Sequence, residues 1–314
     1  MRFNKLDLNL LVALDSLLTE RNITRAAERV HLSQSAMSNA LGRLRDYFDD
    51  ELLVQVGRKM ELTPRAESLR DVVRDVLLRI DTSIATQPQF DCSASDRQFT
   101  LFVSDYTIEF LMPQALALAA QQHSKVRFRL LPQVASPARS LERGEADLLV
   151  IPSGYCSTDH PTEIVFTEEH VCVVWRGSQL ARTGLNFERY AGGGHAIMVP
   201  HGTDQPTYES WLAERYGMSR RIEATTYSFT SLPFLVVGTE LIATVHARLA
   251  HCLKASLPIA ILPLPLPMPP LKQAMQWHKY RSQDPGLVWL RQLLRDAARA
   301  MAPPPDPPAA SGQP

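Results

Sequence analysis

The segment Ile23–Phe48 constrains the fold of this 314-residue chain more than any other stretch of its sequence. Apolar residues recur there at steps of three and four, which predicts two amphipathic helices that meet at a turn formed by His31 and Leu32. Nine positions are predicted to face inward: Ala26, Ala27, Val30, Leu32, Ala36, Met37, Ala40, Leu41 and Leu44. Two helices joined by a tight turn are typical of helix-turn-helix modules, whose second helix enters the major groove of DNA.

The second helix carries short polar residues on its outward face. Ser33 is predicted to cap its first turn, and the outward positions are Gln34, Ser35, Ser38, Asn39 and Arg43. Side-chain amides pair with adenine through two hydrogen bonds, at roughly 1–3 kcal/mol of discrimination. Gln34 and Asn39 are therefore the predicted base contacts, and Ser33, Ser35 and Ser38 are short enough to allow close approach. An ordinary solvated surface helix is the alternative interpretation.

Elements on both sides of this pair would complete a DNA-binding module. A preceding helix from Asp7 to about Glu20 would bury five leucines: Leu10, Leu11, Leu14, Leu17 and Leu18. The segment Leu52–Thr63 alternates around Gly57, which predicts two short strands and a turn, here called the wing. Four basic residues are predicted to contact phosphates or the minor groove: Arg43, Arg58, Lys59 and Arg65.

A long helix is predicted to begin at Pro64, which suits a first helical turn. Its apolar stripe has the spacing of a coiled-coil seam and consists of Ala66, Leu69, Val73, Val76, Ile80 and Ser83. We favour a helix that pairs with a second copy of the chain, and the alternative is an ordinary helix packed on its own domain.

After a polar hinge around Gln87–Asp96, short apolar strands alternate with helical segments. The order strand, helix, strand, helix, strand predicts a parallel sheet, and a second round of strands and helices starts near Arg182. VFTEEHVCVVWR is predicted to be one strand, and Thr107–Gln122 one helix. The fold class is thus α/β, with two lobes around a cleft suited to a small molecule.

Candidate ligand-binding residues lie where predicted strands lead into helices, because open α/β sheets bind ligands at the carboxyl ends of their strands. They are Ser104, Thr203, Gln205, Phe229 and Thr230, and Trp277 is a candidate for the wall of the cleft. Ordinary helix capping or core packing remains the alternative for each.

Composition excludes several classes of protein. The 33 basic and 33 acidic residues balance, which argues against a nucleoid-like protein that binds DNA through phosphates alone. The four cysteines and nine histidines show no metal-ligand spacing, and neither a P-loop nor a hydrolase motif is present. We therefore expect no catalytic residue, metal or cofactor. Asp7 and Asp15 interrupt the apolar N-terminus, so the chain is expected to be cytoplasmic and not bound to a membrane.

Several motifs in this order resemble the LysR-type transcriptional regulators. They are ITRAAERV, LSQSAMSNALGRLRDYF, the paired leucines of the wing, and LTPRAE. The opening MRFNKLDLNLLVALDSLLTERN, the segments TEEHVCVV and ELIATV, and WHKYRSQDPGLVWLRQL are similar to the branch that contains NodD, NahR and LinR. The resemblance covers the chain up to its proline-rich tail.

This resemblance implies a winged helix-turn-helix in residues 1–63 and a dimerising linker helix with hinge in residues 64–90. A two-lobed effector domain of the periplasmic-binding-protein type would occupy residues 91–302, followed by a disordered tail in residues 303–314. It also implies a homotetramer on promoter DNA that acts with RNA polymerase. The function implied is an activator that responds to a small aromatic effector, such as a flavonoid, a salicylate-like acid or a chlorinated aromatic.

Three positions depart from the common family pattern. Ser35 stands where a proline is frequent, Asn39 where an arginine is frequent, and Gln55 where the wing often has an arginine. These departures affect the DNA sequence that the protein reads more than the fold. The competing hypothesis is an α/β enzyme or solute-binding module with an incidental helix pair.

Overall fold

The computed structural model describes residues 6, 8–57, 59–84, 89–134, 136–199, 212 and 214–301, with the backbone alone for residues 81–84. The chain divides into two compact units, residues 1–88 with 142–145, and residues 89–141 with 146–314. Within the described ranges, no helix has the length and apolar character needed to cross a membrane.

The first unit is built on a leucine-rich core. Its elements are α1 (Leu8–Glu20), α2 (Ile23–Arg29), α3 (Gln34–Phe48), β1 (Leu53–Val56), β2 (Lys59–Leu62) and α4 (Pro64–Ile84). Met37, Leu41 and Leu44 of α3 pack against the leucines of α1. Helices α2 and α3 are both capped at their first turn. Asn22 accepts a hydrogen bond from the Arg25 amide, and Ser33, as predicted, accepts one from the Ala36 amide at 3.1 Å.

Two of the nine positions predicted to face inward are exposed. Leu32, 44% exposed, follows His31 in the turn, where His31 adopts a left-handed backbone with φ of 57°. Ala36 is exposed because it lies in the first turn of α3, rotated by about 100° or more from the buried Met37 and Leu41. The spacing of apolar residues alone did not show where the turn ends and α3 begins, so these two positions were wrongly predicted to be buried.

The wing has the predicted form. Its strands pair antiparallel, with Val56 opposite Lys59, and Gly57 takes the left-handed conformation that glycine adopts without strain, with φ of 63°. Arg58, one of the predicted phosphate contacts, lies outside the described residues.

The stripe on α4 does not run along one seam. Ala66 and Val73 are buried in the core of the first unit, with Leu69 packed against it. The alternative interpretation, a helix packed on its own domain, therefore holds for the first half of α4. Val72 and Val76 are 59% and 36% exposed.

The second unit contains two five-stranded sheets. Its strands are β3 (Gln98–Val103), β4 (Arg127–Pro132), β5 (Leu148–Pro152), β6 (Thr162–Glu168), β7 (His170–Trp175), β8 (Gly194–Met198), β9 (Arg221–Thr226), β10 (Ile242–His246), β11 (Ile259–Pro263) and β12 (Leu271–Gln276). Its helices are α5 (Asp105–Phe110), α6 (Met112–Gln121), α7 (Pro137–Glu142), α8 (Gln179–Thr183), α9 (Phe187–Gly192), α10 (Leu232–Leu235), α11 (Ala247–Leu253) and α12 (Pro285–Ala300).

Each sheet forms the centre of one lobe. Lobe I has the strand order β4-β3-β5-β12-β6, and lobe II has the order β11-β7-β10-β8-β9. The strands β3, β4 and β5 run parallel, as predicted, and so do β8, β9 and β10. The chain passes from lobe I to lobe II between β6 and β7 and returns between β11 and β12, so two crossing segments join the lobes.

Two predicted elements differ from the structure. The helix predicted over Thr107–Gln122 is two helices that meet at the buried Leu111, because Pro113 at the start of α6 has no N–H to continue the first helix. The strand predicted from VFTEEHVCVVWR is β6 and β7, which lie in different sheets. The sequence pattern also predicts a helix around Thr207–Tyr216, which falls largely outside the described residues.

A network of ion pairs ties together the edge of lobe I. Arg97 binds Asp284 through two hydrogen bonds of 2.7 Å, and Arg281 donates to Asp147 at 2.6 Å and to Asp284 at 3.1 Å. Asp284 also accepts from the Gly286 and Leu287 amides and so caps α12. Although burial opposes its ionisation, hydrogen bonding and charge from Arg97 and Arg281 lower the pKa of Asp284 to about 2.

We expect this network to contribute to acid sensitivity. The pKa of Asp284 is depressed below its ordinary value of 3.8, so its stabilising effect is present above about pH 4 and is lost as the pH falls towards 2. Asp284→Asn keeps a capping side chain and should lower the free energy of unfolding at pH 7, with the gap to wild type closing below pH 4. Urea unfolding between pH 7 and 3 measures this, with the exposed Asp296→Asn as control. A gap independent of pH would contradict the assignment.

Candidate DNA-binding surface and effector cleft

The outward face of α3 is polar and unobstructed. Gln34, Ser38 and Asn39 are exposed, and their side chains form no hydrogen bond with the described part of the chain. Ser35 is also exposed and lies 3.0 Å from the hydroxyl of the capping Ser33. Since these residues sit three to five positions apart on one helix face, their amides and hydroxyls are available together to a groove of DNA.

Arg45 holds the wing against α3, and sequence reasoning did not identify it. Its guanidinium donates to the Glu51 carbonyl at 2.8 Å and the Leu53 carbonyl at 2.9 Å, and it pairs with the Glu51 carboxylate at 3.1 Å. At the other end of the wing, Asp50 accepts a 2.6 Å hydrogen bond from the Thr63 hydroxyl. The helix face and the wing are therefore fixed relative to each other, with Lys59 exposed beside the wing turn.

Gly42 lies in the middle of the outward face of α3, and a Cβ built there would meet no atom within 4 Å. Gly42→Ala should raise stability by roughly 1 kcal/mol through helix propensity. Gly42→Met should fold equally well yet lower DNA affinity at least tenfold, because the longer side chain would stand between α3 and the bases. Thermal unfolding and gel retardation of both variants test this. Equal DNA affinities of the alanine and methionine variants would show that this face does not approach DNA.

The second unit contains a cleft between its lobes with a volume of about 340 Å³. It lies beyond the carboxyl ends of β3, β4, β8 and β9, the position at which open α/β sheets bind ligands. Its walls are mostly apolar and include Val103, Ile108, Leu130, Met198 and Phe229. The polar residues along it are Ser104, Asp105, Gln133, Tyr227 and Ser228.

Asp105 connects the two lobes at the edge of this cleft. Its Oδ2 accepts hydrogen bonds from the Ser228 hydroxyl at 2.7 Å, the Thr230 amide at 2.9 Å and the Thr230 hydroxyl at 3.0 Å. Ser104, next to it, accepts from the Thr107 amide at 3.1 Å and caps α5. Sequence reasoning missed Asp105, because its partners are 123 and 125 residues away.

A buried ion pair lies where β6 leaves lobe I. Glu168 is fully buried and pairs with Arg248 of α11 at 2.9 Å, and it accepts a hydrogen bond from the Tyr106 hydroxyl. Burial and the neighbouring Glu168 charge raise the pKa of Tyr106 above its ordinary value, so its hydroxyl remains a donor. The Tyr106 ring packs 4.1 Å from the His246 ring, which places a side chain of lobe I in the core of lobe II.

Comparison with known proteins identifies the family. Residues 8–67 match the family model for the bacterial regulatory helix-turn-helix protein of the lysR family, and residues 93–299 match the LysR substrate binding domain. The chain belongs to the LysR family. Nodulation protein D 2 of Rhizobium tropici is 41% identical over 304 residues, which cover 97% of this chain and 96% of that relative.

Solved structures support the same fold. PA0477 of Pseudomonas aeruginosa is 27% identical, with a TM-score of 0.65, over 94% of this chain and 98% of that chain. Full-length CbnR, solved as a complex with its target DNA, has a TM-score of 0.58 over 93% of this chain and 100% of that chain. At 15% identity the likeness to CbnR shows the fold alone. This LysR-family chain is thus a DNA-binding transcriptional regulator and not an enzyme.

The predicted effector-binding residues of this LysR-family protein do not all lie at the cleft. Ser104 and Phe229 line the cleft, and Thr230 is engaged with Asp105. Trp277, predicted to line the wall, instead lies in the core of lobe I, where its ring packs under the Arg291 guanidinium and its N–H donates to Ser282. Thr203 and Gln205 lie outside the described residues.

Three histidines of the LysR-type regulatory domain, His170, His195 and His246, are held in their neutral form by burial. Burial lowers the pKa of both His170 and His195 to about 4, and burial also lowers the pKa of His246 well below its ordinary value. Among the described residues, no group of three or more histidine, cysteine, aspartate or glutamate side chains is arranged to hold a metal ion.

Proposed function

We propose that this regulator binds promoter DNA through the outward face of α3 and the wing, and activates transcription together with RNA polymerase when a small aromatic effector occupies the cleft. The observation that carries the proposal is the α3 face, where Gln34, Ser38 and Asn39 are exposed and unpartnered within the described chain. The neighbouring basic residues Arg43, Lys59 and Arg65 are exposed as well and would supply phosphate contacts.

The apolar walls of the cleft favour an aromatic effector. Six apolar residues line a space of about 340 Å³, and such a site binds a flat apolar ring while a few polar groups fix its orientation. An effector bound between the lobes would change the balance between their arrangements, which is a population shift and involves no chemical step.

We also propose that the regulator works as a dimer or tetramer paired through α4. Val72 and Val76 are exposed apolar residues on this helix, and a second copy of α4 would remove them from water. Pairing of this kind places two recognition helices on one DNA site, as symmetric half-sites require.

A DNase footprint on the DNA upstream of the gene tests the proposal. With full-length protein we expect protection of two half-sites, and a change in the protected length or in its hypersensitive positions when an aromatic effector is added. A variant that lacks residues 1–65 should lose the footprint and keep effector binding. Protection by the truncated variant would contradict the assignment of DNA binding to α3 and the wing.

A further inference from the structure

We infer that Asp105 determines which aromatic effectors enter the cleft: its carboxylate accepts a hydrogen bond from an uncharged phenolic ligand and disfavours aromatic carboxylates. This inference rests on the proposed effector function of the cleft and names the chemistry of the ligand.

The two oxygens of Asp105 have different roles. Oδ2 accepts three hydrogen bonds, from the Ser228 hydroxyl, the Thr230 amide and the Thr230 hydroxyl, so its lone pairs are occupied. Oδ1 receives no hydrogen bond from the described residues, and Asp105 lines the cleft. A carboxylate oxygen in a mostly apolar site is a strong acceptor for an O–H donor on a ligand.

The described lining of the cleft contains no positive charge that could pair with an anionic ligand. Among the lining residues that the structure describes, Asp105 is the one with a charge, and no lysine, arginine or histidine is present. A second carboxylate would be repelled and would lose water without gaining a counterion. Ser104 already occupies the Thr107 amide at the start of α5, so that amide is not available to an anion.

Replacement of Asp105 by asparagine has a defined consequence. The three donors from Ser228 and Thr230 require an oxygen at the Oδ2 position, so the amide nitrogen must occupy the Oδ1 position. The cleft then presents a donor where it had an acceptor, and it no longer carries a negative charge. The preference for donors over carboxylates should therefore decrease or reverse while the shape of the site is kept.

Three ligands of nearly equal size test this with the full-length protein: 6-hydroxy-2-naphthamide, 6-hydroxy-2-naphthoate and 6-methoxy-2-naphthamide. The first is an uncharged phenol, the second adds a carboxylate, and the third lacks the phenolic donor. By calorimetry, wild type should bind the hydroxy-amide about tenfold or more tighter than either of the others, as a charge-assisted hydrogen bond permits. Asp105→Asn should reduce both ratios at least fivefold. Glu109→Gln, which removes a charge from an exposed position of the same helix, should leave both unchanged.

The outcomes are distinguishable. If wild type binds the hydroxy-amide and the acid with equal affinity, or if Asp105→Asn leaves the ratios unchanged, the inference is wrong and the proposed effector function stands. If wild type binds none of the three ligands, the proposed aromatic effector is wrong and the inference fails with it. If Asp105→Asn does not fold, the two wild-type ratios still decide. The ratio to the methoxy-amide follows from the free acceptor at Oδ1, and the ratio to the acid follows from the negative charge of Asp105.

Discussion

Replacing Gln34 and Asn39 together by alanine is expected to weaken binding to the operator by about 25-fold or more. Two bidentate amide contacts contribute at least about 1 kcal/mol each, and 1.4 kcal/mol corresponds to a factor of ten in affinity. Both side chains are exposed on α3, so their truncation should leave the thermal unfolding of the protein unchanged. The loss should concern sequence discrimination, because neither residue carries a charge that neutralises phosphate.

Gel retardation at several salt concentrations separates these effects. The double variant should keep the wild-type salt dependence and its affinity for random DNA, since both depend on released counterions. Gln98→Ala combined with Gln121→Ala is a matched control, because it removes two exposed amides far from α3 in the sequence. An equal loss on operator and random DNA would show that the amides do not read bases.

Removal of Arg248 is expected to have the largest effect on stability. Glu168 is fully buried. Without its partner at 2.9 Å, its hydrogen-bond partners among the described residues would be the Tyr106 hydroxyl and the backbone amide of residue 248. Breaking a buried ion pair from one side costs about 3–5 kcal/mol, because an uncompensated charge remains in the interior. Arg248→Met should therefore lower the free energy of unfolding by that amount.

Chemical denaturation of the full chain measures this loss. Arg299→Met is the control, because Arg299 is 74% exposed in its pair with Asp296 and such pairs contribute less than about 1 kcal/mol. The double variant Glu168→Gln with Arg248→Met should recover part of the stability by removing the buried charge. If Arg248→Met behaves like Arg299→Met, the pair is not a stabilising element of the lobe junction.

Local features of the sequence predicted the DNA-binding unit well. Ser33 caps α3 because a serine hydroxyl reaches the amide three residues on, and Gly57 forms the wing turn because it adopts a positive φ without strain. The polar face of α3 and the parallel direction of β3, β4 and β5 followed from periodicity and alternation in the same way. Each of these depends on residues within one or two elements, which a single sequence displays.

The tertiary structure alone decided which surfaces meet. The stripe on α4 was compatible with pairing or with packing, and only the position of α1 placed Ala66 and Val73 in a core. Trp277 was predicted to line the cleft wall, but it packs in the core of lobe I with the apolar residues of α12. Asp105 and Glu168 gained their roles from partners 62 to 125 residues distant. Thus the sequence by itself determined most of the elements, the LysR-like organisation and the polar outward face of α3, while the chemistry of the cleft depended on long-range contacts that periodicity does not encode.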